Sequence, residues 1–391
     1  MLKRLNFSFE FFKKDSILSF YNHVYNTTND KIIVNNDVDN SEKLINDIFV
    51  VNYIPQYFDL RLDKANSPFS FYKISTYLGF RADLDGFNNV DEYMKSRSRS
   101  GIKKILRNHK RLEKCFNITY EMYHGSIAEE KYVFLFDRLE SMINKRFEQR
   151  NEDHDGLKKW ALYKSSAYQM ILDKKASFFV ISDGEEPIVI GLGFHCQNIF
   201  DSAVTSYDID YAKYGLGNIA VLKKMEWCFN NGYKIYDMGW GELPYKRLWC
   251  NAIEQYDGHI LYSKKNIKNR IMAFFITKIM NFKTYLRFKN ILPLKLGFKT
   301  IFKKNLKEPK PNSNTIPKVE LVDLKKNPPV SGCIKVDTSG EEYSFLRKIK
   351  FDFQYLNSEH SNNLSIYKSY GRENSYIISG KYRTQEVIFK M

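Results

Sequence analysis

Residues 207–246 read YDIDYAKYGLGNIAVLKKMEWCFNNGYKIYDMGWGELPYK, and their pattern decides the fold of this chain. The segment leaves a strand, passes through a turn with Gly215 and Gly217, and continues as an apolar helix. An Asn-Gly pair at 231–232 ends that helix, because glycine readily adopts the left-handed conformation of a C-terminal cap. A strand then runs into residues 236–246, YDMGWGELPYK, which we call the end motif. We expect the end motif to mark the place where this strand leaves the sheet, beside the glycine turn.

An antiparallel meander is predicted just before this segment. The apolar runs at 176–182, 188–196 and 198–208 read as strands, joined by an Asp-Gly turn at 183–184 and by the Gln-Asn pair at 197–198. Helical periodicity is found at 91–114, 128–149 and 157–174, with strands at 48–53 and 118–123. The predicted fold class is α/β of the α+β kind, with a mixed, mostly antiparallel sheet flanked by helices.

Composition limits the kind of protein this is. With 391 residues, 43% of them hydrophobic, the chain can bury a core large enough for two or three domains. No run approaches the roughly 18 uninterrupted apolar residues of a membrane-spanning helix, and the first residues do not form a signal peptide. The five cysteines lack metal-ligand or disulfide spacing. We therefore predict a cytoplasmic protein without a metal site.

The net charge of +16 is concentrated in two stripes. Residues 264–307 contain thirteen Lys/Arg and no Asp/Glu, and residues 95–114 contain nine Lys/Arg against the single Glu113. Such stripes suit a nucleic acid, an anionic lipid or a phosphorylated substrate. The alternative for each stripe is an ordinary solvated helix face. Apolar residues crowd nearly all sides of a helix drawn through the second stripe, which leaves open a helix docked on the core or peripheral contact with the inner face of a membrane.

Five regions follow from these patterns. We predict an N-terminal α/β region at 1–125, an α/β core at 126–263 and a basic helical segment at 264–307. A linker rich in proline, asparagine and lysine is predicted at 308–330. The remaining residues, 331–391, alternate apolar and polar letters around turn signals and read as a small β-rich appendage.

The glycine turn is a candidate anion site. A strand, a glycine-bearing turn and the first turn of a helix point backbone N–H groups outward, and the helix dipole adds positive potential. We call residues 212–218 the glycine loop and predict that its later members contact a pyrophosphate: Lys213, Tyr214, Gly215, Leu216, Gly217 and Asn218. The alternative is that the two glycines only allow a tight bend.

The meander, the glycine loop, the helix ending FNNGY and the end motif together resemble the GNAT acyltransferase superfamily, and within it the CelD-like and FemAB-like branch. The resemblance covers roughly residues 91–264 and includes the basic helix before the meander. It implies acetyl-CoA or another acyl-CoA as co-substrate, and it implies that the N-terminal region is a second, degenerate GNAT half. The family's acyl-CoA loop reads Q/R-x-x-G-x-G/A, whereas this chain has Ala212 at the first position, which weakens the case for acyl-CoA. In FemAB-like members the donor is an aminoacyl-tRNA.

Acyl transfer to an amine needs a base, donors for the developing oxyanion and an acid for the leaving group. Glu242 is the preferred base, and Tyr245 and Lys246 resemble the family's Tyr-Lys pair, in which the lysine meets phosphate or the reacting carbonyl. Tyr207 and Asp208 flank the glycine loop, and Trp240 is placed to wall an acceptor pocket. Packing is the alternative for each aromatic residue. His195 and Asp237 are weighed as further bases, with a structural role favoured for both.

The predicted function is N-acetyl or N-acyl transfer from acyl-CoA to an amine of a sugar nucleotide, a peptide or a cell-envelope precursor. Two alternatives stay open: a FemAB-like transferase that uses aminoacyl-tRNA, and a non-catalytic GNAT scaffold that binds a polyanion. The expected partners are a small-molecule or precursor acceptor, tRNA under the second alternative, and an anionic membrane surface at the inner face.

Overall fold

A computed structural model describes residues 1–38, 45–63, 65–150, 160–289, 318–324, 333–369, 372 and 374–390. The strands, in chain order, are β1 (Leu2–Asn6), β2 (His23–Asn26), β3 (Lys31–Val34), β4 (Ile48–Ile54), β5 (Phe58–Arg61), β6 (Phe69–Asp83), β7 (Ile118–Tyr123), β8 (Ala176–Asp183), β9 (Glu186–Cys196), β10 (Ile199–Tyr207), β11 (Ile235–Trp240), β12 (Ala252–Ser263), β13 (Lys318–Leu324), β14 (Ile334–Val336), β15 (Ser365–Lys368), β16 (Ser375–Ser379) and β17 (Thr384–Lys390). The α-helices are α1 (Val90–Lys95), α2 (Arg99–Cys115), α3 (Glu129–Arg150), α4 (Trp160–Leu172), α5 (Leu216–Asn230), α6 (Pro244–Trp249), α7 (Ile267–Phe288) and α8 (Arg347–Asn357).

A nine-stranded sheet forms the centre of the molecule, in the order β1-β4-β12-β6-β11-β10-β9-β8-β7. The pairs β1/β4 and β10/β11 are parallel, and the other neighbouring pairs are antiparallel. The predicted mixed, mostly antiparallel sheet flanked by helices is therefore confirmed. The sheet also crosses the predicted boundary at 125/126, because β4, β6 and β7 of the N-terminal region pair with strands of the core.

Apolar side chains fill both faces of this sheet. On one face, α3 and α4 pack through residues such as Phe136 and Ile171 against Phe178 of β8. On the other face, α2 and α5 pack through residues such as Leu112 and Ile219. Each fully buried side chain of this size contributes roughly 1.5–3 kcal/mol through removal from water, so the two layers hold the ends of β10 and β11 in fixed positions.

Helix α2 follows the periodicity seen in the sequence. Ile102, Ile105 and Leu112 are buried, whereas Lys103 and Lys104 are exposed. Within the described residues, the helices and strands predicted between 48 and 263 are all present, with ends that shift by a few residues. The start of the helix predicted at 157–174 lies at residues outside the described part.

The C-terminal region departs from the sequence prediction in two ways. The interval predicted as a linker at 308–330 contains β13, which pairs with β17 along its whole length, so Lys318–Leu324 is not a linker. The rest of that interval lies outside the described residues. The β-rich appendage is a five-stranded sheet, in the order β13-β17-β16-β15-β14, and it also carries α8, a helix that the alternating pattern did not indicate.

Helix α8 anchors the appendage on the central domain. Tyr355 donates its hydroxyl hydrogen to Asn108 Oδ1 at 2.9 Å, and Gln354 donates to the carbonyl oxygen of Cys115 at 3.3 Å, so α8 is fastened to α2. Phe351 packs beside Tyr211 and Tyr214, with ring centroids 4.3 Å apart for the first pair. The appendage therefore abuts the segment that leads into the glycine loop.

No helix in the described ranges is both long enough and apolar enough to cross a membrane.

Candidate functional site

The candidate site is an opening in the sheet between β10 and β11. The two strands pair as parallel neighbours only where residues 199–201 face residues 235–237. The register of β10 against β9 shifts between Asp201 and Val204, and that of β11 against β6 shifts between Asp237 and Trp240. Beyond these irregularities the strands diverge, as bulged strands do when a sheet bends. The glycine loop at the start of α5 and the end motif after β11 lie at this end of the strands, as the sequence predicts.

One residue of the glycine loop, Gly215, has a backbone conformation that favours glycine. Residues 209–214 form a 3₁₀ turn, and Gly215, at φ +68°, ends the turn and begins α5. This left-handed conformation favours glycine. At Gly217, a Cβ atom would lie 3.2 Å from the ring of Tyr207, so a larger residue would press on that ring. Tyr214 and Leu216 are buried, which leaves their main chains as the groups able to meet a ligand.

Three polar side chains around the glycine loop already have protein partners. Lys213 pairs with Asp352 of α8 at 3.3 Å. Asn218 Oδ1 accepts a hydrogen bond from the indole N–H of Trp249 at 2.9 Å. Asp208 accepts from the backbone N–H of Asp210 at 3.0 Å and from the Arg347 guanidinium at 2.8 Å. The side chains of Lys213, Asn218 and Asp208 therefore hold the loop, helix α6 and the appendage together.

Arg146 is a residue of this opening that sequence reasoning missed. Its guanidinium lies over the ring of Tyr207, 4.5 Å from the centroid. The same cation offsets part of the rise that burial causes in the pKa of Tyr245. Arg146, Tyr207, Tyr245 and Gly217 therefore line one side of the opening. Arg146 lies in α3, more than sixty residues before the other three, and the sequence gave no signal for it because only the packing of α3 on β10 brings it there.

Lys246 is buried, with an exposed fraction of 5%. Its ammonium donates hydrogen bonds to the carbonyl oxygens of Trp240 at 2.7 Å and Gly239 at 3.3 Å. Burial lowers the pKa of Lys246 to about 8, and the carboxylate of Asp237 opposes part of that shift. A buried ammonium whose hydrogen bonds go to neutral carbonyl oxygens can turn toward a more negative oxygen, such as that of a tetrahedral intermediate.

Asp237 is the centre of a buried hydrogen-bond network below Lys246. Its carboxylate accepts from the hydroxyls of Tyr57 and Tyr256 and from the backbone N–H of Gly239. Burial raises the pKa of both tyrosines well above the ordinary value, and the nearby charge of Asp237 adds to the rise. These contacts agree with the structural role favoured for Asp237, since they fix the turn at Gly239.

Glu242, the predicted base, lies at the surface and pairs with Arg247. The hydrogen bond from Arg247 holds the pKa of the Glu242 carboxyl below its usual value. A lowered pKa makes a carboxylate a weaker proton acceptor. Glu242 can therefore act as a base only after Arg247 has moved away from it.

Trp240 has an exposed fraction of 50% and belongs to an aromatic cluster at the mouth of the opening. Its ring centroid lies 5.0 Å from that of Tyr53 and 5.4 Å from that of Tyr77. The guanidinium of Arg287, near the end of α7, lies 4.7 Å from the centroid of Tyr77. We call Tyr53, Tyr77 and Trp240 the aromatic mouth. Trp240 is therefore not packed in the core, and its role as a wall of an acceptor pocket stays a prediction.

Lys224 of α5 is a second buried lysine that sequence reasoning missed. It is 2% exposed, and it donates to Ser202 Oγ at 2.8 Å and Thr205 Oγ1 at 3.0 Å. Both hydroxyls lie on β10 beyond the point where it leaves β11. Burial lowers the pKa of Lys224 to about 7. The letters KK at 223–224 look like a solvated pair, and only the orientation of α5 separates the partly exposed Lys223 from the buried Lys224.

His195 is a core residue, as favoured from the sequence. Its ring nitrogens lie 2.8 Å from Ser177 Oγ and 2.8 Å from the hydroxyl of Tyr233. Burial, together with nearby His124, holds the pKa of His195 well below its usual value. Both ring nitrogens are occupied by internal partners, which leaves His195 no free atom for substrate.

The described residues offer no metal-binding cluster, and a cavity lies apart from this opening. The described residues contain no group of three or more His, Cys, Asp or Glu side chains placed to hold a metal ion. A cavity of 490 Å³ lies between α7 and strands β6 and β12, lined by residues that include Lys73, Asp257 and Thr284. None of the predicted site residues lines this cavity.

Part of this chain is similar to known acetyltransferase domains. Residues 99–247 match the family model described as an acetyltransferase (GNAT) domain, which confirms the predicted resemblance to that superfamily for this part of the chain. Among solved structures, FemX is 10% identical, with a TM-score of 0.41 over 58% of this chain and 74% of its own. The C-terminal domain of a putative lysylphosphatidylglycerol synthetase from Agrobacterium fabrum is 9% identical, with a TM-score of 0.36 over 58% and 70% of the two chains. A GCN5-related N-acetyltransferase from Kribbella flavida is 8% identical, with a TM-score of 0.28 over 56% and 70%. No curated protein sequence matches the chain.

Proposed function

We propose that this chain, which carries a GNAT acetyltransferase domain over residues 99–247, transfers an acyl group from acyl-CoA to an amine of a sugar nucleotide, a peptide or a cell-envelope precursor. The observation that carries the proposal is Lys246, a buried ammonium at the end of β11 whose partners are two main-chain carbonyl oxygens. It lies on α6, the helix that follows β11, and α6 is joined to the glycine loop by the hydrogen bond from Trp249 to Asn218.

The donor's phosphates would meet the start of α5. The left-handed Gly215 and the small Gly217 let an anion approach the first turn of α5, where the N-terminus of a 15-residue helix provides positive potential. The N–H groups of Gly215 and Asn218 donate to carbonyl oxygens within the loop, so the anion would meet the N–H groups of Leu216 and Gly217. Arg146 adds a full positive charge on the same side. This cation would substitute for the Q/R that Ala212 replaces, because the ring of Tyr207, over which it lies, adjoins Gly217 of the loop.

The acceptor's amine nitrogen would bond to the acyl carbon while the bond from that carbon to sulfur breaks. Lys246, in its ammonium form, donates a hydrogen bond to the oxygen on which negative charge develops. The proton that the amine loses goes to Glu242 once Arg247 has released this carboxylate. The leaving thiolate takes a proton from the phenol of Tyr245, which burial keeps in its protonated form by raising its pKa. Trp240 walls the acceptor side.

One observation supports aminoacyl-tRNA as a second candidate donor. The basic residues of α2 that face solvent, such as Lys103, Arg107 and Lys110, form an exposed stripe along the helix. A stripe of this kind fits the phosphates of a tRNA. An aminoacyl-tRNA donor would place its ester where the thioester is proposed to lie, with the same role for Lys246.

Calorimetry with acetyl-CoA and with tRNA separates these donors, and a transfer assay with a panel of amine acceptors tests the reaction itself. The acyl-CoA proposal expects acetyl-CoA binding that is lost in Gly217→Val and kept in Gly340→Val, at an exposed glycine that likewise lacks a left-handed φ and where an added Cβ meets no neighbour. Binding of tRNA that weakens steeply with salt, without acetyl-CoA binding, would favour the aminoacyl donor. Binding of tRNA without transfer to any acceptor would instead support the polyanion-binding scaffold.

A further inference from the structure

Helix α7 presents an apolar surface to solvent on the side opposite the sheet. Its inner side packs on β6 and β12 through Ala273, Ile276 and Met280. The outer side carries Ile271, Phe275 and Phe282, whose exposed fractions are 53%, 60% and 61%. Five more large side chains of α7 are exposed: Ile267, Met272, Phe274, Ile279 and Tyr285. A contiguous apolar surface of this kind marks an interaction site.

The charge around this surface has one sign. Residues 264–289 contain eight Lys/Arg and no Asp/Glu. Lys268 and Lys278 lie among the exposed apolar side chains of α7, and lysines of this kind extend their ammonium groups away from an apolar layer. A helix with large apolar side chains and only positive charges is typical of one that lies in the interface of an anionic bilayer.

The same charges disfavour a second copy of this chain as the occupant. In a symmetric dimer the same surface meets itself, so the all-positive segments of two copies would face each other without an acidic partner. An anionic lipid surface instead neutralises them and takes up the apolar side chains in its acyl layer.

The position of α7 connects this surface to the opening in the sheet. Near its C-terminal end, Arg287 lies over Tyr77, and Tyr77 packs against Trp240. The aromatic mouth therefore adjoins the end of α7, and a bilayer that meets α7 comes close to Trp240. Tryptophan and tyrosine are themselves favoured at the boundary between water and lipid.

We propose that α7 lies in the interface of an anionic membrane and holds the aromatic mouth at the bilayer surface. Membrane binding does not depend on the transfer reaction, so it stands or falls independently of the proposed function.

The test is flotation of the intact protein with vesicles of phosphatidylcholine alone and of phosphatidylcholine with phosphatidylglycerol. We expect flotation with the anionic vesicles and little with the neutral ones. Phe275→Glu should reduce the bound fraction about tenfold or more, because it replaces an inserted ring by a charge. Leu356→Glu is the matched control, since Leu356 is an equally exposed apolar residue on α8. Lys268→Gln and Lys278→Gln should each lower membrane binding about fivefold, because each removes one positive charge. The double variant Lys103→Gln with Lys104→Gln on α2 should lower membrane binding less.

A second measurement locates the aromatic mouth. Brominated lipids quench only tryptophans at the bilayer, and Trp240 is the most exposed of the four in the chain. Quenching that disappears in Trp240→Phe is the expected result. The proposal is overturned if the intact protein does not float with anionic vesicles, or if Phe275→Glu and Leu356→Glu bind equally well. It is also overturned if Phe275→Glu instead abolishes a dimer in sedimentation and leaves flotation unchanged.

Discussion

The ammonium of Lys246 lies 2.7 Å from the carbonyl oxygen of Trp240, and this contact folds the end motif back on itself. Helix α6, which carries Lys246, thereby holds the turn around Gly239 at the edge of the opening between β10 and β11. A buried cation and an exposed tryptophan are placed side by side, the first toward the interior and the second toward solvent.

Replacing Lys246 tests its proposed contact with the reacting carbonyl. We expect Lys246→Ala to lower kcat about 10²–10³-fold, which is the usual effect of removing one donor to an oxyanion. Because the ammonium is the active form and its pKa is about 8, wild-type kcat should fall as the pH rises through about 8. Lys265→Ala is the control, since Lys265 is exposed. Full activity of Lys246→Ala with an unchanged circular dichroism spectrum would contradict the role.

Glycine at position 215 is expected to matter through its backbone conformation. Gly215→Val should weaken acetyl-CoA binding, because a β-branched residue is strained at φ +68° and the loop must shift. Gly215→Asn should bind more tightly than the valine variant, since asparagine tolerates the left-handed region. Dissociation constants from calorimetry compare the two. Equal binding by both variants would mean that the loop geometry does not serve the ligand.

The base role of Glu242 makes a prediction about Arg247. Glu242→Gln should lower kcat about a hundredfold if this carboxylate takes the amine proton. Arg247→Gln removes the partner that lowers the pKa of Glu242, so the acid limb of the pH profile should move to higher pH in that variant. The pH dependence of kcat for wild type and both variants is the measurement. An unchanged kcat in Glu242→Gln would leave the salt bridge with Arg247 as the only function of this residue.

We expect the ion pair between Asp208 and Arg347 to anchor the appendage to the central domain. Both side chains are largely buried, 2.8 Å apart, so Asp208→Asn and Arg347→Gln should each lower the free energy of unfolding. In the double variant the losses should fall short of their sum by about 0.5–3 kcal/mol. Denaturant titration of the four proteins gives this coupling. A rise in KM in Asp208→Asn that Arg347→Gln does not share would instead support the substrate contact predicted from the sequence.

The sequence was a good guide where local patterns determine the structure. Alternation and turn signals located β8, β9 and β10, and the Asn-Gly pair located the end of α5, because these features depend on residues near one another in the chain. The glycine turn before α5 followed in the same way, but the helix begins at Leu216 and so includes Gly217, which the sequence placed in the turn.

The remaining features depend on contacts between distant residues. Arg146 contacts Tyr207 from another helix, and Arg347 contacts Asp208 from the appendage. The spacing of these residues along the sequence does not indicate either contact. Whether a lysine is buried depends on the side of the helix that packs, which is why Lys224 and Lys246 could not be told from surface lysines. The sequence likewise could not indicate that Glu242 pairs with Arg247, or that this pairing lowers the pKa of Glu242.

Lys224 gives a prediction about stability as a function of pH. Its pKa is about 7 in the folded protein and about 10.4 in an unfolded chain. Between these values the unfolded state binds more protons, so Lys224 makes the folded state more stable as the pH rises, by up to about 1.4 kcal/mol per pH unit. Lys224→Met lacks this contribution. The free energy of unfolding of wild type relative to Lys224→Met should therefore increase from pH 7 to pH 9, as measured by urea titration. A parallel pH dependence of the two proteins would show that Lys224 keeps its proton inside the fold, held by Ser202 and Thr205.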